Sequence, residues 1–511
     1  MKLLVLALLL SAVNSARILS IFPFPSISHQ FVFRSIVQEL ALRGHEVTFV
    51  TPNPMKDEEL KNITQIDVSV AYKMFEEFDL KNAFNLTCII NWITNSNGFW
   101  RQFMSMGMDE EGMQDILRKP ENSYDLILVE TSNPLFFGFQ HKFKVPMIAV
   151  CSCALITPIH EIMGNPVHPV LYPDILLGYS IPLTDLSAKI KSVSVYYLFM
   201  PVINFFVSYQ MDKMARSYFG EDMPYITDIF KNISLVFGNV NPILSYRRPL
   251  VPNVKEVWNI HLKTPETLPS VLLKILDEAE NGVIYLSLGT NVRFEYVEEN
   301  LKEDILKALG ELPYTVLCKW EKEDFPGKPK NVILRKWLPQ PSILAHPNVK
   351  VFVTQGGLQS SEEAIINGVP LVIIPFMGDQ YWNAKMLTSR GMAETVLPES
   401  VTRELLRDTI MKVANDEKYR MKAQELRSIF LDQPRTGLQE IVWWCEYVIR
   451  HKGAQHLRSP SADISFYEFY MLDVLAVILI TLFLTYVVLR KIVRILIRML
   501  RGNKSEKQKK S

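Results

Sequence analysis

Cysteine is scarce in this chain. Five in 511 residues, Cys88, Cys151, Cys153, Cys318 and Cys445, form no disulfide framework and no paired metal-ligand spacing. Their odd number leaves at least one free or pairing between chains. Charge excess is also missing. Lys and Arg total 55 against 54 Asp and Glu, a net charge of +1, so nucleic acid is not implied as a bulk partner. No G-x-G-x-x-G fingerprint follows any apolar run, which gives no support to a nicotinamide enzyme. No Asp-x-Asp pair follows a strand-like run either, and no metal site is expected.

Long apolar runs lie near both ends. The start, MKLLVLALLLSAVNSA, has one basic residue, an apolar stretch from Leu3 to Leu10, and small residues suited to cleavage before Ala16. It reads as a secretory signal peptide over residues 1–15. Near the other end, VLAVILITLFLTYVVL (Val474 to Leu489) carries no charge. With the residues from Phe466 it reaches membrane-spanning length, so 466–489 is expected to be a transmembrane helix. Residues 490–511 are rich in Arg and Lys and read as a cytoplasmic tail by the positive-inside rule. The closing Lys507-Gln-Lys509-Lys510-Ser511 resembles a dilysine signal for retrieval to the endoplasmic reticulum. The expectation is a single-pass type I protein of that membrane with a luminal body. Three sequons, at Asn62, Asn85 and Asn232, agree with a luminal body as glycosylation sites.

Between the ends the pattern is α/β. RILSIFPFP reads as a strand, SHQFVFRSIVQELALRGH as a helix stopped by Gly44, and EVTFVTP as a second strand. That is a βαβ unit, hence a parallel sheet. YDLILVE and VPMIAVC add strands. VYYLFMPVINFFVSY, from 195, is apolar but holds Pro201. It is expected to pack on the core or line an apolar cleft, because the proline breaks a long helix. A proline-rich stretch without a clear period follows, and residues 246–275 read as a linker. A second alternation then begins with GVIYLSLGT. The fold expected is α/β: two Rossmann-like domains facing one cleft, residues 16–245 and 276–455, plus one C-terminal transmembrane helix.

The densest signal is WLPQPSILAHPNVKVFVTQGGLQSSEEAIINGVPLVIIPFMGDQYWNA, from Trp337. An apolar run ends in Gln355-Gly356-Gly357, a helix follows, and a further apolar run ends in Gly378-Asp379-Gln380. This motif resembles the donor-binding signature of the UDP-glycosyltransferases. The likeness extends over the whole chain, and SISHQ and TQGGLQS look most like insect members. The resemblance implies the GT-B arrangement, an acceptor-binding N-terminal domain, a C-terminal domain for the nucleotide sugar, and inversion without an essential metal. No cofactor is implied, because the UDP-sugar is a co-substrate.

By family position, Trp337 would stack on uracil and Gln340 would contact the nucleoside. Gln355, Gln359 and Ser360 would reach phosphate oxygens, with Gly357 giving the backbone close approach. Glu363 would bind both ribose hydroxyls. Asp379 and Gln380 would read sugar hydroxyls, and Ser287 and Thr290 are further candidates for phosphate. His29 falls at the family's catalytic base and Glu130 at the carboxylate that supports it. The chain departs twice from the common pattern: Glu130 stands where Asp is usual, and Gln355 where many members have His.

The activity implied is transfer of a hexose, glucose by the insect-like wording, to a hydroxyl of small lipophilic molecules such as phenols, other xenobiotics or hormones. Glucuronate or galactose as the sugar, a membrane lipid as acceptor, and a non-catalytic binder of nucleotide sugar or lipophile stay open as alternatives. The sequence is silent on a homo-oligomer.

Overall fold

Strands buried on both faces need apolar residues at every position, and this chain has two sets of them. The computed structural model describes residues 15–56, 60–76, 104–175, 183–292, 294, 297–321 and 327–508. Cys88, Asn85 and residues 1–14 of the expected signal peptide lie outside them.

The first sheet has seven strands: β1 (Arg17–Ile21), β2 (Glu46–Thr51), β3 (Ile63–Asp67), β4 (Leu126–Glu130), β5 (Met147–Cys151), β6 (Leu235–Asn239) and β7 (Val254–Val257). Their spatial order is β3-β2-β1-β4-β5-β6-β7, and neighbouring strands are parallel. Along β1, Leu19 and Ile21 enter one apolar layer while Ile18 enters the other. The second sheet has six strands: β8 (Val283–Ser287), β9 (Thr315–Lys319), β10 (Val332–Arg335), β11 (Val349–Thr354), β12 (Leu371–Ile373) and β13 (Ala393–Thr395). The order is β10-β9-β8-β11-β12-β13, again parallel. Here Ile284 and Leu286 face one layer, Val283 and Tyr285 the other. Each sheet reverses its strand order once, at β1/β4 and at β8/β11. In such sheets the crevice beyond the strand ends at the reversal is where ligands bind.

The helices used below are α1 (Ile27–Leu42), α2 (Leu186–Ser194), α3 (Met200–Phe219), α4 (Gln340–Leu344), α5 (Leu358–Asn367), α6 (Gln380–Ser389), α7 (Gly437–His451) and α8 (Leu472–Gln508).

Three features differ from the sequence reading. First, Pro201 breaks nothing. It stands in the first turn of α3, where a missing N–H is tolerated, and a π-helical turn over Val195–Phe199 joins α2 to α3. Nor is this stretch core. Leu198, Val202, Phe205 and Tyr209 are exposed, and residues 186–219 are apolar and long enough to count as a candidate membrane span. Second, the stretch read as linker contains β7, which completes the first sheet. Third, α7 falls within the stretch read as the second domain but packs on the first. Ile441, Val442, Cys445 and Val448 join the layer formed by Phe33, Phe49 and Val257.

Residues 459–511 form a separate unit. Its helix α8 runs past Leu489 to Gln508 without a break. The segment Leu472–Met499 has a mean hydropathy of 2.6 and is a candidate membrane anchor.

Candidate active site

Because β1 and β4 are neighbours in register, with Ile21 opposite Val129, the residues that follow them meet. Glu130 ends β4 and is almost fully buried. His29 lies in the first turn of α1 rather than in an open loop. His29 Nδ1 lies 3.2 Å from Glu130 Oε1, and the imidazole stacks on Phe24 at 4.8 Å between centroids. Burial works against protonation of His29. The hydrogen bond and charge of Glu130, then Cys151 and Asp379, outweigh it and raise the pKa above the ordinary value. The other Glu130 oxygen is buried with no hydrogen-bond partner.

The second domain repeats the logic at β8/β11, where Ser287 stands opposite Thr354. Gly289, two residues past β8, has φ +75°, and a Cβ there would collide with the Gln355 amide. Gly356 has φ +83°, and a Cβ would come within 2.7 Å of Ile373. Only glycine fits either position. Gln355 is buried. Its Oε1 accepts from Thr354 Oγ1 at 3.0 Å, which turns its amide nitrogen toward Gly289 and Gly357. Lys319, from the end of β9, donates to the Gly289 carbonyl and lies 5.3 Å from the ring centre of Trp337. Trp337 itself is 56% exposed, an open aromatic face beside the glycine turns.

Gln340 Nε2 donates to Glu363 Oε2 at 2.7 Å and to Ser360 Oγ at 3.0 Å, while its Oε1 accepts from Tyr285. In this structure its amide therefore ties α4 to α5 and holds Glu363. Burial raises the Glu363 carboxyl to about 7, against the lowering effect of Gln340. Asp379 stands at the N-terminal boundary of α6 and accepts from Asn383 Nδ2 at 3.1 Å, and the same amide reaches the Gly356 carbonyl at 3.0 Å. Gln380 Oε1 accepts from the N–H groups of Phe376 and Met377, which closes the turn before α6. Burial raises the Asp379 pKa, and the His29 charge across the cleft acts against this.

The two domains touch at these sites. Gln359 Nε2 donates to the Ser152 carbonyl at 3.1 Å, and Asn291 Nδ2 to Ser26 Oγ at 3.2 Å. Between the domains lies a cavity lined by Ala154, Asn239 and Asn241 on one side and Leu358, Asp379 and Trp382 on the other. The arrangement therefore joins an imidazole–carboxylate pair to a glycine-lined helix N-terminus, the first suited to proton removal and the second to an anion. Ser287 and Thr290 sit at the mouth of β8, with Ser287 Oγ accepting from the Gly289 N–H. Among the described residues, no group of three or more His, Cys, Asp or Glu is set to hold a metal ion.

Sequence reasoning missed several neighbours. Asn383 stands one helical turn beyond Asp379, a spacing that was available as a signal. Lys319 gave no signal beyond ending a strand. His261, from the stretch read as linker, is buried with Nδ1 3.5 Å from Glu362 and Nε2 3.8 Å from Glu363. Of the described sequons, exposed Asn232 donates to the Asp228 carbonyl. Asn62 uses its amide on two carbonyls, Ala41 and His45, so a glycan there would remove one of those bonds.

The model of the family described as UDP-glucoronosyl and UDP-glucosyl transferase matches residues 17–507. The chain belongs to this family. A UDP-glycosyltransferase of Dactylopius coccus, UGT5, is 33% identical over 93% of this UDP-glycosyltransferase and 90% of its own length. An ecdysteroid UDP-glucosyltransferase of the Spodoptera littoralis nuclear polyhedrosis virus is 32% identical over 97% and 100%. The 2-hydroxyacylsphingosine 1-beta-galactosyltransferase of Rattus norvegicus is 28% identical over 96% and 91%. The solved glycosyltransferase VinC, in complex with DTDP, shares the fold at a TM-score of 0.57, with 14% identity over 85% of this chain and 100% of that one. The two-sheet body is thus a GT-B glycosyltransferase fold, and the UDP-glycosyltransferase transfers a sugar from a UDP-sugar.

Proposed function

We propose that this UDP-glycosyltransferase transfers glucose, with inversion, from UDP-glucose to a hydroxyl of a small lipophilic acceptor, with His29 as general base. The observation that carries this is the His29–Glu130 pair at the strand reversal of the first sheet, with Asp379 of the second domain close enough to act on the His29 charge. The acceptor hydroxyl gives its proton to His29 as its oxygen attacks the anomeric carbon. Glu130 orients the ring through Nδ1 and stabilises the imidazolium that forms. UDP leaves toward the N-terminus of α5, where the backbone N–H groups and the Gln355 amide receive the phosphate charge. The chemistry needs no metal for this step. Glu363 accepts from the ribose hydroxyls, Trp337 stacks on uracil, and Asp379 and Gln380 face the sugar. Base and leaving-group site come from opposite domains, which suits attack from the face opposite the departing UDP and hence inversion.

Glucose is supported by two relatives named as UDP-glucosyltransferases, at 32–34% identity. The ecdysteroid enzymes, at 30–32% identity, support a lipophilic acceptor such as a hormone. A membrane-lipid acceptor with galactose is the second reading, favoured by the sphingolipid galactosyltransferase relative. We place the body in the lumen of the endoplasmic reticulum, anchored by α8 with the basic tail in the cytoplasm. The test incubates microsomes carrying the chain with UDP-glucose, UDP-galactose and UDP-glucuronate, and with phenols, steroids and ceramide, and reads products by mass. Glucosides of soluble acceptors are expected. Products formed only with ceramide would overturn the first reading in favour of the second.

A further inference from the structure

Beside His29, the chain leaves the end of β5 as Cys151-Ser152-Cys153 and bends. The two sulfurs lie 3.5 Å apart, and both thiols are free and half-buried. The other described cysteines, Cys318 and Cys445, are sealed in apolar layers. The peptide between the paired thiols is unusually committed. The Ser152 carbonyl accepts from Gln359 Nε2 of the second domain at 3.1 Å and from Asn239 Nδ2 at 3.2 Å. The Cys153 carbonyl accepts from the Asn239 N–H at 3.1 Å.

We propose that Cys151 and Cys153 are a reversible thiol–disulfide pair, oxidised by a low-molecular-weight disulfide such as glutathione disulfide, whose closure weakens the contact between the two halves of the active site. Once Cys151 ionises, the Cys153 thiol is the donor to its sulfur across the 3.5 Å separation. Together with Thr131 this hydrogen bond outweighs burial and holds the Cys151 thiol below its ordinary value, so Cys151 supplies the attacking thiolate. It bonds to one sulfur of the oxidant, whose S–S bond breaks, and the first thiolate leaves and takes up a proton. Cys153 then gives its proton to solvent and attacks the Cys151 sulfur, and the second thiolate leaves. Two protein thiols are oxidised and one small disulfide is reduced to two thiols.

Bonding draws the sulfurs from 3.5 Å to about 2.05 Å. The short route between them is the Ser152 peptide, so that peptide must turn and its carbonyl must move relative to Gln359. Gln359 lies in the first turn of α5, the helix start assigned to the phosphates. Losing one such neutral hydrogen bond is expected to raise the donor KM about fivefold.

The test treats the full-length protein with glutathione disulfide, blocks remaining thiols with N-ethylmaleimide, digests, and weighs the fragment that holds both cysteines. The expected fragment is lighter by two hydrogen atoms and carries neither glutathione nor the blocking group. The donor KM should rise and return after dithiothreitol. Cys153→Ser should keep the untreated kinetics and lose the response. Glutathione stably retained on Cys151, a bond from Cys88 to either cysteine, or an internal disulfide with an unchanged donor KM would each overturn the proposal. The treated and reduced wild-type protein suffices for those readings if the variant does not fold. The kinetic half rests on the site reading above and the mass reading does not. Absence of sugar transfer by the untreated protein would count against that reading alone.

Discussion

The two halves of the site are built alike and written differently. Each lies at a strand reversal of a parallel sheet, at β1/β4 and β8/β11. The C-terminal half comes mainly from one run, Trp337 to Gln380, because β11, α5 and β12 are consecutive in chain and in space. The N-terminal half is gathered from Phe24 and His29 on one segment and Glu130 on another, about a hundred residues apart. The C-terminal half is rigid turn chemistry, with two glycines at positive φ and amides locked by their neighbours. The N-terminal half is titration chemistry. Substitutions in the first should therefore alter donor binding, and in the second turnover and its pH dependence.

The largest expected effect is on the N-terminal side. His29→Ala should lower kcat by about 10²–10⁴-fold, with the donor KM little changed, as measured by steady-state kinetics with varied UDP-sugar. Undiminished transfer would remove His29 as the base. Next, Glu130→Gln should lower kcat by about 10–100-fold, the worth of a hydrogen bond to a charged group. The pH profile carries the sharper reading. A base at His29 would act only when neutral, so on that proposal activity rises as pH passes its folded-state pKa, which Glu130 raises. Removing the carboxylate charge should move that acid limb to lower pH. A limb that stays in place would separate Glu130 from the titration.

On the C-terminal side, Glu363→Ala should raise the donor KM about tenfold, in proportion to the lost ribose bonds. Its carboxyl titrates at about 7, so wild-type donor affinity should fall as pH drops below that value, and Glu363→Gln should flatten the dependence. Its neighbour Glu362 gives a stability counterpart. Burial raises Glu362 to about 8, with Asn241 and the Asn259 N–H opposing this weakly. A carboxyl with a raised folded pKa is neutral in both states only well below its ordinary value. Its destabilising effect grows as pH rises above the unfolded value and is complete above the folded one. Glu362→Gln should therefore be more stable than wild type at pH 8 by about 1–3 kcal/mol, with the gap closing toward pH 4, by denaturant melts. The smallest effect is at Gln355. Gln355→His should tighten donor binding a few-fold below neutral pH, where a charged donor replaces a neutral amide. Unchanged donor affinity and turnover would mean that the amide does not face phosphate.

The α/β class, two successive parallel halves and the anchor-like apolar segment were all legible in the sequence. Periodicity and run length are local, and buried parallel strands and an unbroken apolar helix announce themselves locally. The glycine turn at Gly356 and the start of α5 were legible for the same reason, since they are near in chain. His29 and Glu130 could be named from family position, but their 3.2 Å meeting depends on β1 and β4 pairing. Tertiary structure alone decided that Pro201 opens a helix, that its apolar face stays exposed, that β7 belongs to the first sheet, and that α7 returns to cover it. It alone placed His261 against Glu362 and Glu363, and the Cys151–Cys153 loop against Gln359. Those contacts join residues far apart in the chain, and no local preference encodes which distant segment will fill a given layer.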